Sequence, residues 1–178
     1  MNILRSLGMA FAMFSILPVP KLNWDKGNMR HALAALPTVG LVIGLTVCGW
    51  FWLCQKLDFG QILFAAGLTL LPVWISGGIH LDGLMDVSDA MASHAPPARR
   101  REIMKDPHTG AFAVMGVSAY LLLYFALCTE LPRAREAAAI MALIPVVSRA
   151  VGGLGAACFP AAGGAGLLTT FRDASAGT

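Results

Sequence analysis

Apolar positions in this chain neither alternate nor keep to one helical face; they run together. Four stretches, 32–54, 61–79, 111–128 and 136–159, are apolar almost without interruption. Each approaches or exceeds the about 20 helical residues that cross a hydrocarbon core. All four are predicted as transmembrane helices of an all-α, polytopic membrane bundle forming one domain over 1–178. Three contain a proline (Pro37, Pro72, Pro145), which a bundle tolerates because neighbouring helices re-satisfy the freed backbone groups. Gly40 and Gly44 form a GxxxG, and Gly152/Ala156 and Gly153/Ala157 are small-xxx-small pairs; such spacing predicts close helix packing. The first 20 residues differ. The apolar stretch 3–19 is short, carries Arg5 and ends in Leu17-Pro18-Val19-Pro20. It lacks the charged start and the small-x-small site of a signal peptide, so 1–20 is predicted as a helix lying in or re-entering the interface.

Composition sharpens the class. Of 178 residues, 57% are hydrophobic and 13% charged, with a mean hydropathy of +0.68; a soluble domain has about 45–50% apolar and about 25% charged residues. Disordered, fibrous and disulfide-scaffold proteins are excluded. Thirteen basic residues giving a net charge of +3 are too dispersed for a nucleic-acid footprint, so the expected partner is a lipid bilayer and no nucleic acid. Cys48, Cys54, Cys128 and Cys158 stand singly in apolar stretches and are expected as free thiols. Arg5, Lys21, Lys26, Arg30, Arg99, Arg100, Arg101 and Lys105 fall on one side of the spans, against Lys56, Arg133 and Arg135 on the other. The positive-inside rule then places the N-terminus and the segment 80–110 in the cytoplasm of a multi-pass protein of the cell membrane.

That segment concentrates the acids. Five of the ten carboxylates, Asp82, Asp86, Asp89, Glu102 and Asp106, lie in it. Asp82, Asp86 and Asp89 stand at i, i+4 and i+7 and share one helix face; Glu102 and Asp106 repeat the i, i+4 relation. Like charges on one face repel, and an oxygen-rich set of this kind suits Mg²⁺, Mn²⁺ or Ca²⁺, with Mg²⁺ typically taking one or two carboxylates plus substrate phosphates. Gly77-Gly78 either lets backbone approach a ligand or ends a helix tightly. Arg99, Arg100 and Arg101 serve as headgroup anchors or diphosphate contacts, and Lys105 is the better phosphate candidate. His80 is a candidate general base or supporting group, while His108 is expected to be structural. Arg149 sits mid-span, where a charge costs about 2.5–3.5 kcal/mol on insertion scales. A carboxylate of the cluster or a substrate phosphate would neutralise it.

The block Gly77-Gly78-Ile79-His80-Leu81-Asp82-Gly83-Leu84-Met85-Asp86-Val87-Ser88-Asp89 resembles the GG-x-HLDGL-x-D-x-x-D signature of the cobalamin synthase family. Glu102-Ile103-Met104-Lys105-Asp106 with Gly110 is similar to its second signature, E-I-M-K/R-D-x-x-x-G. The Leu17-Pro18-Val19-Pro20 turn, Pro37-x-x-Gly40, and Gly166-Leu167 with Thr170-Phe171-Arg172-Asp173-Ala174 resemble further family segments. Ser15 departs from the basic residue usual there, and family chains continue past Thr178 with further spans. The resemblance implies transfer of an adenosylcobinamide phosphate group from adenosylcobinamide-GDP to α-ribazole or its 5′-phosphate, with GMP leaving. Breaking a diphosphate calls for charge stabilisation by carboxylate-held metal. Asp82, Asp86, Asp89 and Asp106, with Glu102 as ligand or support, are therefore expected to hold Mg²⁺, with Asp82 and Asp86 catalytic. Lys105 is expected on a phosphate, His80 or a metal-free carboxylate as the base, and Arg149 facing a substrate phosphate or a carboxylate of the cluster.

Three other readings compete. A CDP-alcohol phosphotransferase also uses an aspartate cluster at a membrane, but its D-x-x-D-G-x-x-A-R pattern is not matched here. A cation carrier would place acids inside the spans, whereas only Arg149 is deep. A third reading is an inactive fragment, and a homo-oligomer is compatible with all of them.

Overall fold

The computed structural model describes residues 3–20 and 31–159, and the regular secondary structure within them is all α-helix. In chain order the helices are α1 (Ile3–Phe14), α2 (Leu36–Lys56), α3 (Gln61–Ile75), α4 (Ile79–Ala92), α5 (Pro97–Ile103), α6 (Ala111–Thr129) and α7 (Arg135–Cys158). The basic residues Lys21, Lys26 and Arg30, and the segment 166–174, lie outside the described residues. The architecture is a polytopic helical membrane bundle. Helices α2, α6 and α7 are each long and apolar enough to cross a membrane. Outward residues such as Leu122, Leu123, Leu127, Ile140, Leu143 and Val151 remain exposed, which suits a hydrocarbon surround rather than water.

The expected span over 61–79 differs from the helix found there. α3 has 15 residues, stops at Ile75 and is followed, across a 90° bend, by α4. The cause is local. Pro72 occupies the last turn of α3, and Gly77 and Gly78 adopt φ of +66° and +75°, a region that glycine enters without a Cβ penalty. The Gly78 amide donates to Val73 O at 3.0 Å and the Gly77 amide to Trp74 O at 3.1 Å, the double closure of a Schellman motif. Gly78 O then accepts from the Leu81 and Asp82 amides, both at 2.9 Å, to start α4. Of the two roles open to Gly77-Gly78, the tight helix end is therefore realised. The stretch 80–110, expected as a loop and helix region, is two helices joined by a short turn.

Helix α1, at 12 residues, is about 18 Å long and too short to span. It packs on α2 with Met9 and Ala10 fully buried. Beyond it, the Ile16 amide donates to Ile75 O at 2.9 Å. The segment leading to Pro18 and Pro20 is thereby tied to the α3–α4 joint.

The main core joins α2, α3, α6 and α7 through Val47, Phe51, Phe64, Leu68, Cys128 and Met141, with Phe51 and Phe64 edge to face at 4.7 Å. The closest seam is α2 against α7. A Cβ on Gly40 would stand 2.7 Å from Val146 Cα, and one on Gly44 would meet the Ala142 backbone, so the GxxxG packs as predicted. Gly153 likewise faces Leu33 O, but Gly152 has open space around it; only one of the two small pairs on α7 presents its glycine to a neighbour. Far from the joint, Gln61 Nε2 donates to Thr129 O and Leu131 O, both at 3.0 Å, while its Oε1 accepts from Arg133 Nε at 3.1 Å. The four cysteines are free thiols.

Candidate functional site at the helix joint

The bend between α3 and α4 separates two concavities. On one side an open groove of about 680 Å³ is bordered by Met13, Ser15, Ile16, Gly77, Gly78 and Asp82. On the other a smaller cavity of about 140 Å³ lies among α2, α3, α6 and α7 and receives His80 and Arg149. Two residues of the first turn of α4 therefore serve different spaces: Asp82 borders the groove and His80 the cavity.

Asp82, Asp86 and Asp89 lie on α4, as their spacing predicts. The carboxylates of Asp82 and Asp86 make no hydrogen bond or ion pair among the described residues. Asp86 has its carboxyl raised above the usual range, first by burial and then by the negative charges of Asp82 and Asp89. Such a carboxylate gains from a nearby cation. Asp89 is committed differently. Its Oδ2 accepts from the Gly110 amide at 2.7 Å and its Oδ1 from the Ala113 amide at 2.8 Å. It caps the N-terminus of α6 from a separate helix, where free amides and the helix dipole favour an anion. A Cβ on Gly110 would approach the Asp89 carboxylate to 2.6 Å, so this close approach needs glycine.

The remaining acids turn elsewhere. Glu102 Oε2 pairs with Arg99 Nη1 at 2.6 Å in an exposed contact. Asp106 Oδ1 accepts from the His108 amide at 2.9 Å and lies 2.7 Å from His108 Nδ1, and these His108 contacts hold the Asp106 carboxyl below its usual range. Lys105 is exposed and without a partner among the described residues. The structure thus groups Asp82, Asp86 and Asp89 and leaves Glu102 and Asp106 on local partners. Among the described residues no three His, Cys, Asp or Glu side chains form a cluster able to hold a metal ion. Two unpartnered carboxylates one turn apart still match a Mg²⁺ ion that takes one or two protein oxygens and completes its shell with phosphate and water.

His80 has its basicity lowered, first by burial and then by Arg149, whose Nη2 lies 3.5 Å from His80 Nδ1. The Phe14 ring stands 6.5 Å away. Sequence reasoning missed Tyr120 and Tyr124, which stack at 5.9 Å on the wall of the smaller cavity. Two phenols at i, i+4 inside an apolar span were the available signal.

The Asp89 cap makes a direct prediction. Asp89→Ala should lower stability by about 1–2 kcal/mol, the usual cost of a lost N-cap, with Asp89→Asn recovering only part of it, because its amide nitrogen cannot accept the second of the two bonds. Thermal unfolding in detergent measures this; an Asp89→Ala midpoint equal to the parent's would refute the capping role.

Residues 6–177 match the family described as Cobalamin-5-phosphate synthase. The chain is 43% identical over 175 residues to an adenosylcobinamide-GDP ribazoletransferase of Lachnoclostridium phytofermentans, an alignment covering 98% of this chain and 66% of that one. A protein of the same name from Clostridium perfringens is 34% identical, with 84% and 59% covered, and one from Geobacillus thermodenitrificans is 35% identical, with 79% and 55% covered. The chain therefore spans less than two thirds of the length of these relatives. No solved structure matches it. With almost its whole length aligned and its two acidic signatures placed on α4 and across the end of α5, the chain belongs to the Cobalamin-5-phosphate synthase family.

Proposed function

We propose that the chain carries the phosphoryl-transfer site of an adenosylcobinamide-GDP ribazoletransferase. The reaction joins adenosylcobinamide-GDP to α-ribazole or its 5′-phosphate and releases GMP. The observation that carries this is the unpartnered Asp82–Asp86 pair on α4, beside the groove opened by the Gly77–Gly78 turn. In the transfer, the acceptor hydroxyl oxygen forms the new P–O bond as the diphosphate bridge to GMP breaks. The hydroxyl proton needs a base within hydrogen-bond reach. His80, whose basicity is lowered by burial and by Arg149, is the imidazole placed beside the joint to accept it. Asp82 and Asp86 would hold Mg²⁺, with Asp89, Glu102 and Asp106 nearer the edge of the ligand set. When bound, the ion withdraws charge from the diphosphate oxygens and makes GMP a better leaving group. Lys105 would contact a phosphate as a point charge. The eight-to-three basic asymmetry supports an α4–α5 segment facing the cytoplasm of the cell membrane.

The test is reconstitution in liposomes with adenosylcobinamide-GDP, α-ribazole and Mg²⁺, following GMP release and cobalamin formation together. Equimolar products abolished by EDTA are expected. The longer Lachnoclostridium phytofermentans relative, run in parallel, fixes the signal for a full-length chain. Turnover that persists in EDTA would defeat the metal assignment. Absence of both products, alongside an active relative, would defeat the assignment of activity to this chain.

A further inference from the structure

We propose that the smaller cavity, which adjoins the acidic groove at Ser76 and Leu81, binds a phosphoryl anion through Arg149, Tyr120, Tyr124 and Ser148. This deepens the phosphoryl-transfer reading and rests on it for the identity of the physiological ligand, but the site is argued from its own groups.

The cavity is rich in donors and poor in acceptors. Arg149 Nε is buried without a hydrogen-bond partner, and the nearest polar contact of the guanidinium is His80 Nδ1 at 3.5 Å, too long to satisfy it. The two ion pairs among the described residues are Arg99–Glu102 and His108–Asp106, so neither engages Arg149. The cluster carboxylates, one of the two partners the sequence offers to Arg149, are thus turned elsewhere. The hydroxyls of Tyr120, Tyr124 and Ser148 line the same space and make no hydrogen bond among the described residues. Thr69 and Ser76, also on the wall, already donate to Ala65 O and Val73 O.

A charged group inside a bundle normally faces a partner or a substrate path. A guanidinium fork with three free hydroxyls around it offers donors to an anion with several acceptor oxygens, and its planar geometry suits phosphate. Size agrees. At about 140 Å³ the space is close to the about 150 Å³ of an engineered cavity that admits benzene. It has room for one phosphoryl group, and the rest of a larger ligand would extend through the open side. Ser76 and Leu81 border both the cavity and the groove. A diphosphate is therefore the soluble ligand that fits beside the joint, and a phospholipid headgroup offers the same chemistry from the bilayer.

The test uses the full chain in phosphatidylcholine nanodiscs with EDTA present, so that no metal on the acidic face contributes. Binding of inorganic pyrophosphate is read by calorimetry and by ³¹P line broadening, and retained phospholipid by native mass spectrometry. Wild type should bind pyrophosphate. Arg149→Gln should weaken binding at least tenfold, Arg149→Lys should fall between, Tyr120→Phe should weaken it severalfold, and Gly152→Ala, on the open face of α7, should leave it unchanged. Circular dichroism melts identify any variant that has lost its fold, and Tyr120→Phe, which keeps the ring, serves if Arg149→Gln has. One phospholipid per chain, retained by wild type and lost in Arg149→Gln, supports the same phosphoryl site with a headgroup as occupant. The proposal is overturned if neither pyrophosphate nor phospholipid binds. It is equally overturned if Arg149→Gln and Tyr120→Phe, both folded, bind like the parent. A bound site with no turnover by this chain would separate failure of the functional reading from failure of the cavity assignment.

Discussion

Asp82→Asn is expected to lower turnover in the coupled GMP and cobalamin assay by about 10²–10³-fold. The side chain keeps its shape but loses its charge, and with it the pairing with Asp86 that would hold a divalent cation. A Lewis-acid ion supplies several kcal/mol of transition-state stabilisation; losing about 3–4 kcal/mol of it corresponds to that factor at 1.36 kcal/mol per tenfold. Asp82 borders the groove and has no partner among the described residues, so its loss leaves no protein group stranded. Stability should therefore change little. Asp86→Asn should act in the same direction, with a gain in stability as the burial of a charge and its repulsion by Asp82 and Asp89, which together raise the Asp86 carboxyl, are relieved. Raising Mg²⁺ should partly rescue either variant if weakened ion binding is the cause. Full turnover by Asp82→Asn at ordinary Mg²⁺ would remove the residue from the site.

How much of this was readable from residue order varies with the physics involved. The long spans were legible because hydrophobicity is a local sum; α2, α6 and α7 lie where the apolar runs predict. The 61–79 span was not, since its end is set by backbone conformation at Gly77 and Gly78 rather than by polarity: Ile79 and Leu81 continue the apolar pattern straight through the turn. The acidic face of α4 was legible from period alone. The separate fates of the five acids were not, because each partner is fixed by tertiary placement. Asp89 meets Gly110 and Ala113 across 21 and 24 residues, and no spacing rule connects them. Glu102 and Asp106 have nearby charged neighbours, Arg99 and His108, that sequence spacing does supply; the i, i+4 relation between the two acids simply competed with it. Arg149 was conspicuous as a charge within a span, but its surroundings needed the fold.

Gly40→Leu should prevent the native bundle from forming, and even Gly40→Ala should cost about 1–3 kcal/mol, the range for forcing atoms into a packed interior. The obstacle is backbone, not a side chain that can rotate away: the new Cβ would lie 2.7 Å from Val146 Cα and against the Pro145 carbonyl. Relief would require α7 to move off α2. Gly44→Ala meets the Ala142 backbone one turn along, so both ends of the GxxxG resist displacement, and the double variant should exceed either single one. Gly152→Ala, on the open face of α7, is the matched control and should be neutral or mildly stabilising through helix propensity. Thermal unfolding in detergent should give a lower midpoint for Gly40→Ala than for Gly152→Ala; equal midpoints would mean the seam is looser than its geometry indicates. The consequence extends to the cavity. Pro145 lies one turn before Arg149 on α7 and on the same cavity wall, so pushing this turn from α2 also carries the guanidinium away from His80 on α4. Gly40→Ala should therefore weaken pyrophosphate binding at temperatures where the variant is still folded, whereas Gly152→Ala should not. A glycine on α2 whose near neighbours are the Pro145 and Val146 backbone would in that case set the position of the cation beside the joint.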